Sequence, residues 1–233
     1  MPSTINRMDR VFYGGMAIAI VAAVFTGFAP TYYLRSHFQT TPLPLLLHLH
    51  GFVFTCWILL FAVQTTLISA RRIDLHRRLG WVGAGLAAAL VPIGLAAGID
   101  LLRRSYPSSA NEASTFFTTP VSAVVIFGFL VAVAVRYRRQ TETHKRLMLL
   151  ATISILDAAV ARWPSELLAT SDLAEYVVID SFIVVGVLYD LYSRRRIHPA
   201  NLWGGLLIIV VQSLRVPVGQ TEAWHAFARL LAG

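Results

Sequence analysis

The sequence has a single cysteine, Cys56, and little charge. One thiol can form neither an intrachain disulfide nor a thiolate metal cluster. Only 14% of the 233 residues are charged, against 56% hydrophobic. Soluble domains carry about 25% charged residues, so a single core wrapped in a water-facing surface is excluded. The formal net charge is +8, but the basic residues stand at the ends of apolar blocks rather than on one continuous patch. This excludes a nucleic-acid-binding face. No lysine falls inside an apolar block, so a retinal-type Schiff base cannot form. A nucleophile elbow, a P-loop, a dinucleotide fingerprint and an HExxH pair are all missing. Gly80, Gly83 and Gly85, followed by Ala87, Ala88 and Ala89, suit close helix packing instead.

What is present is a series of apolar blocks. A hydrocarbon core of about 30 Å needs about 20 helical residues, and about 17 at the lower limit. Blocks of that kind cover Val11–Pro30, Pro44–Ser69, Leu79–Leu102, Phe116–Val135, Leu147–Trp163, Tyr176–Tyr192 and Leu202–Val216. They predict an all-α integral membrane bundle of about seven transmembrane helices, arranged as one leading helix plus three hairpins. The last three blocks are short and carry ionisable residues, so six spans remain an alternative. The first block is long enough to span and lacks a clear small-residue cleavage site, so it reads as a helix rather than a cleaved signal. Residues 1–10 form a cytoplasmic leader, 11–216 the bundle, and 217–233 an outer interfacial segment. In that last segment Trp224, Phe227, Leu230 and Leu231 recur at helical spacing, as in an amphipathic helix lying at the interface.

Orientation follows from the positive-inside rule. With the N-terminus inside and the C-terminus outside, 14 lysines and arginines fall on the cytoplasmic side, in the leader and the basic turns around Arg71, Arg138 and Arg194. The other side receives 6: Arg35, Arg103, Arg104, Arg162, Arg215 and Arg229. A basic inner layer of this kind suits anionic lipid headgroups. Homo- and hetero-oligomers of the bundle are both compatible with this composition.

Ionisable groups within the hydrocarbon are costly and mark candidate sites. His48, His50, Asp157, Arg162, Asp180 and Arg215 fall within or at the edge of the spans, from the midplane outward. His50, Phe54, Trp57, Phe61 and Gln64 share one stripe of the second helix, whereas His48 points nearly the opposite way. Gln212 and Arg215 share a face of the last span. Two readings stand. In one, the charges are interhelical ion pairs that hold the bundle together. In the other, His50, Trp57, Asp157, Arg162, Asp180 and Arg215 line a polar site in the outer half that takes a small ligand, a proton or a metal. Arg162 and Arg215, in the last turns of their spans, are expected to snorkel to the outer surface.

A second constellation lies at the inner face. His76, His144 and His198 each precede an outbound helix, and three imidazoles suffice for a divalent metal site. Neighbouring arginines and lysines oppose a cation there, and solvated loop histidines are the plainer reading. A haem held by two histidines needs both on facing helices at matched depth. His48 and His50 share one helix, which leaves His76 with His144 as the inner-face alternative.

Two blocks carry a resemblance. They are His50-Gly51-Phe52-Val53-Phe54-Thr55-Cys56-Trp57, running on to Leu75-His76-Arg77-Arg78-Leu79-Gly80, and His144-Lys145-Arg146-Leu147-Met148-Leu149-Leu150-Ala151. With Asp9-Arg10-Val11-Phe12-Tyr13 and Phe28-Ala29-Pro30-Thr31-Tyr32-Tyr33, they make most of the chain resemble a group of uncharacterised polytopic inner-membrane proteins of bacteria. That resemblance implies a multi-pass protein of the bacterial cell inner membrane and carries no activity. The His76 to Gly80 piece is also similar to cytochrome b561-type proteins, which implies haem and a membrane oxidoreductase. A ligand-binding protein, an oxidoreductase and a structural or assembly subunit are therefore the three functional classes the sequence leaves open.

Overall fold

A computed structural model describes residues 7–38, 41–166, 168 and 171–233, and among these every regular element is helical. The elements are α1 (Arg7–Phe28), a π-helical turn (Ala29–Tyr33), α2 (Arg35–Phe38), α3 (Leu45–Ser69) and α4 (Ile73–Ser105). They continue with α5 (Ala110–Arg136), α6 (Thr141–Ile153), α7 (Asp157–Val160), α8 (Asp172–Arg194), α9 (Pro199–Gly219) and α10 (Glu222–Ala232). Five segments are long and apolar enough to cross a membrane: Arg7–Tyr33, Leu45–Ser69, Ile73–Ser105, Ala110–Arg136 and Pro199–Gly219. α8 has 23 residues, or about 34 Å at 1.5 Å per residue.

Among the described residues α1 already includes Arg7–Arg10, ahead of the Val11 boundary expected from the apolar run. Its far end relaxes into the π-turn where Pro30 enters, with the Leu34 N–H reaching back to the Ala29 carbonyl at 2.7 Å. A proline lacks the N–H of the ordinary ladder, and a wider turn absorbs the mismatch.

Of the seven expected spans, five fall in helices long and apolar enough to cross a membrane; Tyr176–Tyr192 lies within α8, and the remaining one needs a correction. Leu147–Trp163 is not one helix: α6 ends at Ile153, the chain turns through Ser154, Ile155 and Leu156, and α7 begins at Asp157. Local hydroxyls compete with the ladder at this point. Thr152 Oγ donates to the Met148 carbonyl at 2.9 Å, and Ser154 Oγ donates to the Ala151 carbonyl at 2.8 Å. Such back-bonding weakens helices. Irregular backbone within a helical bundle is tolerated where protein surrounds it, and the break is enclosed: Thr152, Ile153, Ser154, Leu156 and Asp157 are all buried.

α5 is the axis of the bundle, packing against α4, α6, α9 and α10. Phe127, Leu130 and Ala134 on α5 are fully enclosed, with Ile20 of α1, Leu90 of α4, Leu150 of α6 and Ile208 of α9 in the same core. The outward surface is apolar, as at Ile18, Leu45, Trp81, Val125, Leu188 and Trp203. Buried arginines inside and bare leucines outside invert the soluble pattern, which is what a lipid solvent selects. Two close approaches depend on glycine. A methyl group on Gly27 of α1 would collide with the Ala159 carbonyl of α7, and one on Gly219 of α9 would lie 2.9 Å from the backbone of Thr115 on α5.

The C-terminal segment does form a helix. α10 docks on the ends of α4 and α5, and Trp224 donates its indole N–H to the Ser114 carbonyl at 2.7 Å.

Candidate functional site

The outer-half candidates separate into a pair that meets and residues that stand apart. Arg215 of α9 donates from Nη1 and Nη2 to the two oxygens of Asp157, at 3.0 and 2.9 Å. Its Nε donates to Ser122 Oγ of α5 at 2.9 Å, and its guanidinium lies 5.6 Å from the centre of the Tyr176 ring of α8. With Arg215 only 3% and Asp157 5% exposed, the expectation that Arg215 snorkels to the surface is overturned. The break before α7 delivers Asp157 to the bundle interior, where a bidentate carboxylate holds the guanidinium more favourably than the rim would. Arg162 does behave as expected: it is exposed, bonds the Ala158 carbonyl and lies 5.1 Å over the Phe28 ring.

Two acceptors close to this pair are left without partners. Asp180 of α8 lies within electrostatic range of Asp157, and Gln212 lies one helical turn before Arg215. Asp180 Oδ1 and Gln212 Oε1 are buried and have no hydrogen-bond partner among the described residues. Buried polar atoms are nearly always bonded, so each exception needs an explanation.

His50 and Trp57 take different roles. The stripe on α3 faces inward, with Trp57 and Phe61 buried. Trp57 donates to Thr152 Oγ at 3.3 Å and meets Phe127 edge-on at 4.8 Å, so it packs against the foot of the break. The His50 ring lies 4.1 Å from that of Phe54, with its Nδ1 buried and unpartnered among the described residues. It lies within electrostatic range of Arg162. His48 faces outward.

The three histidines expected at the inner face do not come together. His76 and His144 meet edge to face, 6.4 Å between ring centres. His198 instead caps α9, its Nδ1 accepting from the Ala200 N–H at 3.1 Å. Among the described residues no three His, Cys, Asp or Glu side chains stand close enough to hold a metal ion. His144 Nδ1 lies 2.9 Å from the Ala134 carbonyl oxygen. That oxygen can only accept, so the proton sits on Nδ1 and Nε2 keeps its lone pair. Burial holds the His144 pKa below its ordinary value, with the Ala134 bond acting in the opposite direction. The Gln64 amide, turned so that its nitrogen faces His76, donates to His76 Nδ1 at 2.6 Å and accepts from the Gly80 N–H at 3.0 Å.

The largest polar cluster was missed by sequence reasoning. Arg146 of α6, fully buried, donates from Nε to Asp190 of α8 at 2.9 Å. Asp190 also accepts from Asn201 Nδ2 at 2.7 Å and the His198 N–H at 3.0 Å. Glu142 receives Arg146 at 2.7 Å, Lys145 at 3.0 Å and Arg194, while Lys145 reaches Asp9 of α1 at 3.0 Å and Tyr189 donates to Asp9. Burial alone would raise the Glu142 carboxyl, but hydrogen bonds from Arg146 and Lys145 outweigh it and hold the pKa down to about 2. The signal was legible: Arg146 stands one residue before an apolar block and Asp190 two residues before the end of another, at matching depth.

Among the described residues the fold is thus all-helical, with five helices long and apolar enough to cross a membrane and two buried ion pairs, Arg146–Asp190 and Arg215–Asp157, between helices. Comparison with protein-family models, curated proteins and solved structures gave no match.

Proposed function

We propose that this chain is a multi-pass protein of the bacterial inner membrane, N-terminus inside. It takes up a proton or a small hydrogen-bond donor in the outer half of the bundle, at Asp180 and Gln212 beside the Asp157–Arg215 pair. In this reading α8 also crosses the membrane, the broken α6–α7 segment completes a further crossing, and Arg162 and His50 flank the outer approach.

One observation carries the reading: the contrast between the two clusters. None of the inner cluster's side chains is among the buried groups without a partner, as expected of polar groups that serve architecture. The outer cluster leaves Asp180 Oδ1 and Gln212 Oε1 as buried acceptors with no donor among the described residues. Arg215 is committed to Asp157 and Ser122, so the charge of Asp180 calls for a donor from outside the chain.

A stability test separates a site from a scaffold. A buried acceptor without a partner costs about 1–3 kcal/mol, so Asp180→Asn and Gln212→Leu should leave the ligand-free protein in detergent at least as stable as the parent. The same changes should abolish the shift of its melting midpoint with added small amines, read above about pH 5 where the Glu142 cluster adds no pH dependence. Loss of stability in both variants, with the amine response intact, would assign the cluster to architecture and favour an assembly subunit.

A second reading has its own observation. His144 presents an unprotonated Nε2 while its Nδ1–H is held by a backbone carbonyl, the arrangement that orients a metal-ligating imidazole. His76 faces it across 6.4 Å, and would be free to ligate once the Gln64 amide turned over. This favours a haem- or metal-dependent oxidoreductase with His76 and His144 as ligands. An absorption spectrum and metal analysis of the detergent-purified protein test it: a colourless, metal-free preparation removes it.

A further inference from the structure

A groove of about 470 Å³ runs between α1 and α3, lined by Gly14, Ala22 and Phe25 on one side and Ala62, Thr66 and Ser69 on the other. It opens to the outside of the bundle, where Ile18 and Phe25 are exposed. Its lining asks for no polar ligand, because Thr65 and Thr66 turn their hydroxyls back onto the Phe61 and Ala62 carbonyls at 2.9 Å. From Gly14 to Phe25 it extends about 16 Å along α1, roughly half of a 30 Å hydrocarbon core and so the depth of one leaflet.

The end of the groove is not apolar. Arg10 lies one turn before Gly14, and its Nη1 reaches the Ser69 carbonyl only at 3.4 Å. Its Nε is buried and has no acceptor among the described residues. Arg71 and Arg72 follow Ser69 in the adjoining turn. Of the nearby carboxylates, Asp9 is engaged with Lys145 and Tyr189, whereas Asp74 pairs with Arg72 at 3.7 Å.

We propose that this groove is a binding site for one anionic phospholipid, with an acyl chain lying between α1 and α3 and the phosphate accepting from Arg10. A chain one leaflet long fits the groove's extent, and a phosphate oxygen supplies the acceptor that Arg10 Nε lacks. Arg71 in the adjoining turn adds preference for a negatively charged headgroup, while Arg72 is offset by Asp74.

The site can be blocked without disturbing the core. A Cβ at Gly14 meets nothing within 4 Å, so Gly14→Phe places a ring in the open groove. The full-length protein in a neutral detergent is supplied with phosphatidylglycerol or phosphatidylcholine, and retained lipid is read by native mass spectrometry. The parent should retain one phosphatidylglycerol in preference to phosphatidylcholine. Arg10→Gln should reduce that preference about fivefold, and Gly14→Phe should abolish retention of the bound lipid while the melting midpoint in detergent alone is kept. Equal retention of both lipids, or unchanged retention in Gly14→Phe, overturns the proposal. Inorganic phosphate in place of lipid should neither bind nor compete; if it did, the site would be one for a free anion and the lipid assignment would fall.

Discussion

Arg215 and Asp157 form two parallel N–H···O bonds, at 3.0 and 2.9 Å, between α9 and the first residue of α7. The pair is almost wholly buried, so neither partner can turn to water if the other is lost. Removing one partner of a buried pair typically costs about 3–5 kcal/mol, whereas replacing both with apolar side chains is often neutral. Asp157→Leu and Arg215→Met should therefore each lower the denaturation midpoint in detergent strongly, and the double variant should recover most of the loss. Additive losses in the double variant would show that the two residues act independently.

The Glu142 cluster predicts a pH response of defined sign. Its carboxyl is held down to about 2 from an ordinary 4.5, so between these values the unfolded chain binds a proton that the folded chain refuses. Stability from this group is fully present above about pH 5 and is lost as the pH falls through 4.5 toward 2. Glu142→Gln should flatten that acid limb without altering the pH dependence above 5. An unchanged acid limb in the variant would place the response at another carboxylate.

Two arginines hold left-handed backbone at helix ends. Arg71 has φ 59° and Arg195 φ 58°. At the first, the Arg72 N–H reaches the Leu67 carbonyl at 2.8 Å and the Arg71 N–H the Ile68 carbonyl at 3.0 Å, the Schellman pattern that usually employs glycine. The left-handed conformation costs a non-glycine residue about 1–2 kcal/mol. Arg71→Gly and Arg195→Gly should each raise the unfolding midpoint in detergent modestly, and a fall in either would mean that the side chain contributes more than the strain costs.

The glycines of α1 should not behave alike. Gly27→Val drives a side chain into the Ala159 carbonyl and should destabilise by about 1–3 kcal/mol. Gly14→Ala meets nothing and should be neutral or stabilising, since alanine is favoured over glycine inside a helix by up to about 1 kcal/mol. Thermal melts of both variants against the parent check the contrast. Equal losses would mean that helix propensity, and not the α1–α7 contact, governs this segment.

Apolar run length made the long helices legible, because lipid demands a nearly continuous apolar stretch and the sequence supplies one. Helical periodicity likewise placed Trp57 and Phe61 on the inward face of α3. The break at Ser154 was not legible. Nothing at the apolar level distinguishes Ile153-Ser154-Ile155 from helix, and only the hydroxyl bonds and the surrounding protein make it tolerable. Arg215 looked like a rim residue because its depth was counted along its own helix, whereas its partner lies on another. Arg146 follows a basic turn and so resembles a loop residue, although its burial comes from Asp190, 44 residues further on.

The spacing of the ionic partners also bears on the order in which the chain can be assembled. Asp157 emerges 58 residues ahead of Arg215, and Arg146 emerges 44 ahead of Asp190. At about 5–20 residues per second, Asp157 waits about 3–12 s for its countercharge. A lone aspartate at the centre of a spanning helix costs about 2.5–3.5 kcal/mol to insert. If α6 and α7 complete a crossing as proposed, that segment settles only once α9 supplies Arg215, and α9 acts as the latch for a turn made much earlier.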